Sequence, residues 1–167
     1  MRRLLFQQND AFRQSERCYQ TTCPVPAISG TCHVMPLDFS PLADFIDRLD
    51  EGLARYRTDE TDTQIRDGLI QRFEFTYDLA HKMLRRALEE AAANPEEIDR
   101  MTFPALIRTG VEQGLVAGEW TDWRMFREMR NITSHTYDEA KAVQVVAAIP
   151  AFLAEAQGVL ARLQSRA

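Results

Sequence analysis

The chain has 167 residues, 45% apolar and 27% charged, with only 7 Gly and 7 Pro: enough for one domain with a sizeable core, and a composition that favours helices. A formal net charge of −5 argues against a general nucleic-acid binder, which is usually basic, and no uninterrupted apolar run approaches the roughly 20 residues of a membrane span. "MRRLLF" is too short in apolar residues to form a signal-peptide core, so a cytoplasmic protein without membrane association is expected.

Residues 1–36 carry no sustained helical or strand period, and "TTCPVPAISGTC" is turn and coil chemistry. They read as an irregular tail ahead of a helical domain over residues 37–167. Periodic sequence starts within a few residues of Met35, which makes Met35 a candidate natural start and the tail a candidate start-site artefact. Cys18, Cys23 and Cys32, with His33, lack the close C-x2-C pairs of common zinc modules. No metal site and no cofactor are expected.

Five helical segments follow. The first opens at "SPLADF", with Ser40 as N-cap and Pro41 at the first helical position. Its stripe is Leu42, Phe45, Leu49, Leu53 and Tyr56. In the second, Thr61 and Gln64 have capping-box spacing. Ile65, Leu69, Phe73, Tyr77, Ala80, Leu84 and Leu88 then recur in steps of three and four, and Ile70, Leu79 and Met83 add a second stripe. This helix ends before "NPEE". A short third helix covers about 103–113, from a Thr102 cap to near Gly114. The fourth runs from about Thr121 to Ser134, anchored by Trp120 and Trp123. The last covers about 138–164, with Val143, Val146, Ile149, Leu153, Ala156, Leu160 and Leu163 inward and a kink expected at Pro150. The expected architecture is an all-α, antiparallel, up-and-down four-helix bundle with one additional short helix.

The densest chemistry lies in "RNITSHTYDE", residues 130–139. On a straight helix, Arg130, Asn131, Ser134 and His135 span about 140° of one face, while Tyr137 lies about 160° from His135. Thr136 and Glu139 form a second T-x-x-E box, so a new helix starting at Tyr137, with a turn between His135 and Thr136, would bring the tyrosine back. Arg124, Arg127 and Arg130 recur every three residues. These types suit phosphate chemistry: Arg grips phosphate, His moves a proton near neutral pH, and Tyr is a weak acid or a nucleophile. A polar helix end, with His135 capping carbonyls and Tyr137 packed on a neighbour, fits the residue types as well. On the second helix, Arg66, Asp67, Arg72 and Glu74 either line a cleft beside this motif, with Arg72 as a second phosphate ligand, or form a solvated face. Phe73, Phe75 and Tyr77 read as core or dimer contact, and His81 as packing or surface.

R-x4-H-x-Y, on Arg130, His135 and Tyr137, resembles the motif of HepT-type toxins, partners of minimal nucleotidyltransferases (MNT) in bacterial and archaeal toxin–antitoxin pairs. "IRDGLIQRFEFTYDLAHKMLRRAL" and "RNITSHTYDEAKA" look like the nucleotidyltransferase substrate-binding protein family of the same superfamily, and the likeness covers about residues 37–165. The resemblance implies a homodimeric four-helix bundle that binds a separately encoded MNT-type nucleotidyltransferase. Gly-Ser followed by Asp-x-Asp, the signature that would hold Mg2+ against a triphosphate, does not occur in the sequence, so AMP transfer is assigned to another chain. For the HepT branch the resemblance implies RNA cleavage by Arg130 and His135, and AMP transfer to Tyr137 as the silencing event. A substrate-binding subunit is therefore the first reading and a metal-independent ribonuclease toxin the alternative. Arg72, Glu74, Arg127, Asn131 and Ser134 are the expected substrate contacts.

Overall fold

The computed structural model describes residues 37–135 and 138–166, His135 by its backbone alone. Within them every regular element is helical: α1 (Ser40–Tyr56), α2 (Thr63–Ala91), α3 (Pro95–Asp99), α4 (Phe103–Glu112), α5 (Trp120–Ile132), a 3-10 turn (Thr133–His135) and α6 (Glu139–Gln164). The long helices α1, α2, α5 and α6 form the bundle. Helices α3 and α4 both lie in the connection between α2 and α5, so "NPEE", expected to be plain connection, opens a short helix of its own.

The caps differ from the sequence expectation in an instructive way. Helix α1 begins one residue early, and Asp38 accepts from the Ser40 N–H at 2.9 Å, so Ser40 is capped and does not cap. At α2 the carboxylate of Asp62, not Thr61, accepts from the N–H groups of Gln64 and Ile65. The start of α5 is a reciprocal box between Glu119 and Asp122. Helix α6 is capped by Asp138, which accepts from the Ala140 N–H, so it starts two residues after Tyr137. At α1 and α2 an aspartate one or two residues from the expected cap wins, because a carboxylate is the stronger acceptor for N–H groups at the positive helix end. Thr136 and Tyr137, and the tail over residues 1–36 with its cysteines and His33, lie outside the described residues.

The core follows the predicted stripes with two shifts. Ile46, not Phe45, is buried on α1; Phe45 turns partly outward and meets the exposed Phe75 edge-on at 6.3 Å. On α6 the inward set is Ala142, Val145, Ala148, Ile149, Phe152, Leu153, Ala156, Val159 and Leu163, and Val143, predicted inward, is 52% exposed. The pattern "AVQVVAAIP" is apolar nearly all round, so period alone did not fix which face turns in. The helix continues through Pro150. It is the described helix long and apolar enough to cross a membrane by length and composition; in this bundle its apolar face packs into the core.

Two features place α5. Gly114, at φ +69°, closes α4 in the left-handed region that a Cβ disfavours, and Leu115 and Val116 donate back to the Gly110 carbonyl at 2.8 and 3.2 Å. Then Glu155 of α6 accepts from the N–H groups of Ala117 and Gly118, both at 3.1 Å, and from the Trp123 indole at 3.4 Å. Trp123 is fully buried, as expected, and an aromatic cluster of Phe73, Tyr77, Trp123, Phe126 and Phe152 joins α2, α5 and α6.

Candidate functional site

One helical face away from that cluster, α2 and α5 meet through polar side chains. On α2, Glu74, Asp78, His81 and Arg85 recur at i, i+4, i+7 and i+11, which stacks them along one stripe. Arg127, Arg130 and Asn131 face them from α5. Asp78, His81, Arg85, Arg127, Arg130 and Asn131, with Phe103 of α4 and the edge of Tyr77, line an open cleft of about 390 Å³.

Arg130 is the centre of the seam. Its Nε and Nη2 donate to the two carboxylate oxygens of Asp78 at 3.0 and 2.9 Å, a bidentate pair, and Nη2 also lies 3.2 Å from Glu74 Oε1. The Asp78 hydrogen bond, more than Glu74, holds the guanidinium above its ordinary range against the opposing effect of burial. The edge that would grip a phosphate is thus occupied by a carboxylate. Only Nη1 lies outside these contacts, and with the side chain one-third exposed it stays reachable from the cleft.

The neighbours are built differently. Arg85 Nη1 donates to the carbonyls of Ile98 and Asp99 at 3.1 and 2.8 Å, tying α2 to the end of α3. Arg127 carries its guanidinium over the Phe103 ring, 4.6 Å from the centroid. His81 packs on Phe103 at 5.3 Å. Burial, then the charges of Arg85 and Arg127, push its imidazole below its ordinary range despite Asp78, so it is neutral at neutral pH.

Of the residues singled out from the sequence, the structure brings Glu74, Arg127, Arg130 and Asn131 to this seam. Ser134 is exposed in the 3-10 turn beyond Asn131, whose carbonyl accepts its hydroxyl at 3.5 Å. Arg72 is elsewhere. It lies about 160° round α2 from Glu74 and donates to the Arg48 carbonyl on α1, so it is not a second phosphate ligand in this arrangement. Arg66 is not solvated: it is 7% exposed and paired with Glu139 at the start of α6, with Asp67 at 3.7 Å. The His135 side chain and Tyr137 lie outside the described residues. Asp78, His81, Arg85 and Phe103 were missed; the first three shared a helical period with Glu74 that could have exposed them, and Phe103 had no such signal.

A family model described as "Nucleotidyltransferase substrate binding protein like" matches residues 37–165. A Haemophilus influenzae protein named "Probable ribonuclease HepT" is 43% identical over 99 residues, which are 59% of this chain and 67% of that protein. A solved structure from the same organism, described as revealing the fold of a substrate binding domain of a nucleotidyltransferase, superposes with a TM-score of 0.72 at 33% identity. It covers 76% of this chain and 99% of its own.

Proposed function

Because the chain belongs to the nucleotidyltransferase substrate-binding family, we propose that it is the substrate-binding subunit of a two-gene, toxin–antitoxin-like system, paired with a separately encoded MNT-type nucleotidyltransferase. The observation that carries this reading is the match of a dedicated substrate binding domain over 99% of its length to the bundle of this chain. In this reading the chain is a cytoplasmic homodimer, and the α2–α5 cleft presents a phosphate-bearing group to the partner. Arg130 and Arg127 supply cationic groups, Asn131 and Ser134 hydrogen bonds, and Glu74 orients Arg130.

A second reading has a specific support: the relative at 43% identity is named as a probable ribonuclease. Here the chain is a HepT-type, metal-independent ribonuclease. Arg130 steadies the phosphate, His135 moves a proton between the 2'-OH and the leaving oxygen, and RNA is the substrate. The partner silences it by AMP transfer. The Tyr137 oxygen attacks the α-phosphorus of ATP, the bond to pyrophosphate breaks, and the phenolic proton passes to a base.

Intact mass after incubation with the partner nucleotidyltransferase, ATP and Mg2+ separates the two. A stable complex without mass gain supports the substrate-binding reading. A gain of one or more AMP units, lost in Tyr137→Phe, together with RNA cleavage lost in His135→Ala, supports the second. A chain that neither associates nor is modified defeats both.

A further inference from the structure

Phe103 opens α4 and is part-buried beneath three neighbours: His81 at 5.3 Å, Trp120 at 5.7 Å and the Arg127 guanidinium at 4.6 Å. The three arginines of the cleft are not equivalent. Arg130 is bound to two carboxylates, and Arg85 is committed to the carbonyls of Ile98 and Asp99. Arg127 is exposed, lines the cleft, and has no carboxylate partner among the described residues. Its guanidinium lies 4.6 Å from the centroid of the Phe103 ring, and the residue as a whole stays exposed.

We propose that Arg127 is a stacking platform for a nucleobase, and that the cleft holds a nucleotide with its base on Arg127 and its phosphate toward Arg130. This deepens the substrate-binding reading and rests on it. A guanidinium is planar and weakly hydrated, so a base stacks on it as on an aromatic ring, and single-stranded nucleotides are recognised this way. Phe103 keeps the group in place without neutralising it, which a carboxylate would do. One helical turn further along α5 the cleft offers what a phosphate needs, the Nη1 side of Arg130. A cleft of about 390 Å³ lies within the range of roughly 300–1,000 Å³ typical of small-ligand sites, and a base can stack on a side chain only when it is unpaired. The nucleotide is either free or an unpaired residue of RNA.

AMP, ribose 5-phosphate and a short oligoadenylate are titrated calorimetrically against the full chain, Arg127→Lys and Arg127→Ala. Wild type binds AMP or the oligoadenylate about tenfold more tightly than ribose 5-phosphate, the scale of one stacked base. Lysine keeps the charge and loses the plane, so Arg127→Lys brings that preference within about twofold and leaves ribose 5-phosphate unchanged. A preference seen with the oligoadenylate alone assigns the site to RNA, and one seen with AMP assigns it to free nucleotide; both support the base subsite. Equal binding of the three ligands, binding of none, or a preference that survives in Arg127→Lys overturns it. Arg127 is exposed, so both variants fold, which thermal melts check. Complex formation with the nucleotidyltransferase is measured in parallel. A complex without base preference removes this inference and leaves the function standing; a base preference without a complex does the reverse.

Discussion

Helices α2 and α5 meet along two seams, side by side, built on opposite rules. The inner seam is aromatic. Tyr77 and Trp123 pack at 6.3 Å, and Phe152 of α6 closes on Phe73 at 5.1 Å and Phe126 at 5.4 Å, with Phe73, Trp123 and Phe152 fully buried. The outer seam is ionic and half open, with Arg130 between Asp78 and Glu74 and a cleft beside it. Apolar burial scales with area, and close packing holds the inner seam in one arrangement. Ion pairs that remain partly solvated contribute little, so the outer seam can exchange partners at small cost. The difference teaches that the bundle is held together on one side of α5 and left partly open to solvent on the other.

The sharpest way to break the contrast is at the inner seam. Phe152→Ala costs about 3–5 kcal/mol, read from the denaturant midpoint, because it opens a cavity among three aromatic rings. A loss below about 1 kcal/mol would mean the cluster is not the anchor. Next comes Glu155→Ala, which leaves the Ala117, Gly118 and Trp123 N–H groups without their acceptor. It costs about 1–2 kcal/mol, and hydrogen exchange quickens at the start of α5 before it does in α1.

At the outer seam, Asp78→Asn changes stability by less than about 1 kcal/mol, since Asp78 is half exposed. It removes one negative charge and the bidentate partner of Arg130, so inorganic phosphate binds several-fold more tightly. Unchanged or weaker phosphate binding would show that Asp78 orients Arg130 for its ligand instead of competing with it. The smallest effect is in pH. His81 is held below its ordinary value of 6.5 in the folded chain. As pH falls below 6.5 the unfolded chain takes up that proton first, so the His81 contribution, fully present above 6.5, is lost until the folded value is passed. His81→Phe abolishes this part of the acid loss, measured as a smaller shift of the denaturant midpoint between about pH 7.5 and 5.5.

Apart from the five-residue α3, helix type was legible in α1, α2, α4, α5 and α6 because apolar residues at steps of three and four are buried together on a helix. Helix ends were less so. Ser40, Thr61 and Thr136 have capping side chains, but Asp38, Asp62 and Asp138 stand close by, and in the first two cases the structure chose the carboxylate. Val143 went wrong because α6 is apolar on too many sides for period to select a face.

The sequence by itself determined an all-helical bundle, the family likeness and the polar stretch from Arg130 onward, all of which depend on spacing along one chain. Only the tertiary structure decided that Arg130 faces Asp78 and Glu74, that Arg72 serves the α1 contact, that Arg66 is buried against Glu139, and that Phe103 lies under Arg127. These are pairings between helices 52, 24, 73 and, for the last, some two dozen residues apart. Periodicity fixes which side of a helix turns inward; which residue it meets there depends on how neighbouring helices slide and rotate to fill the core.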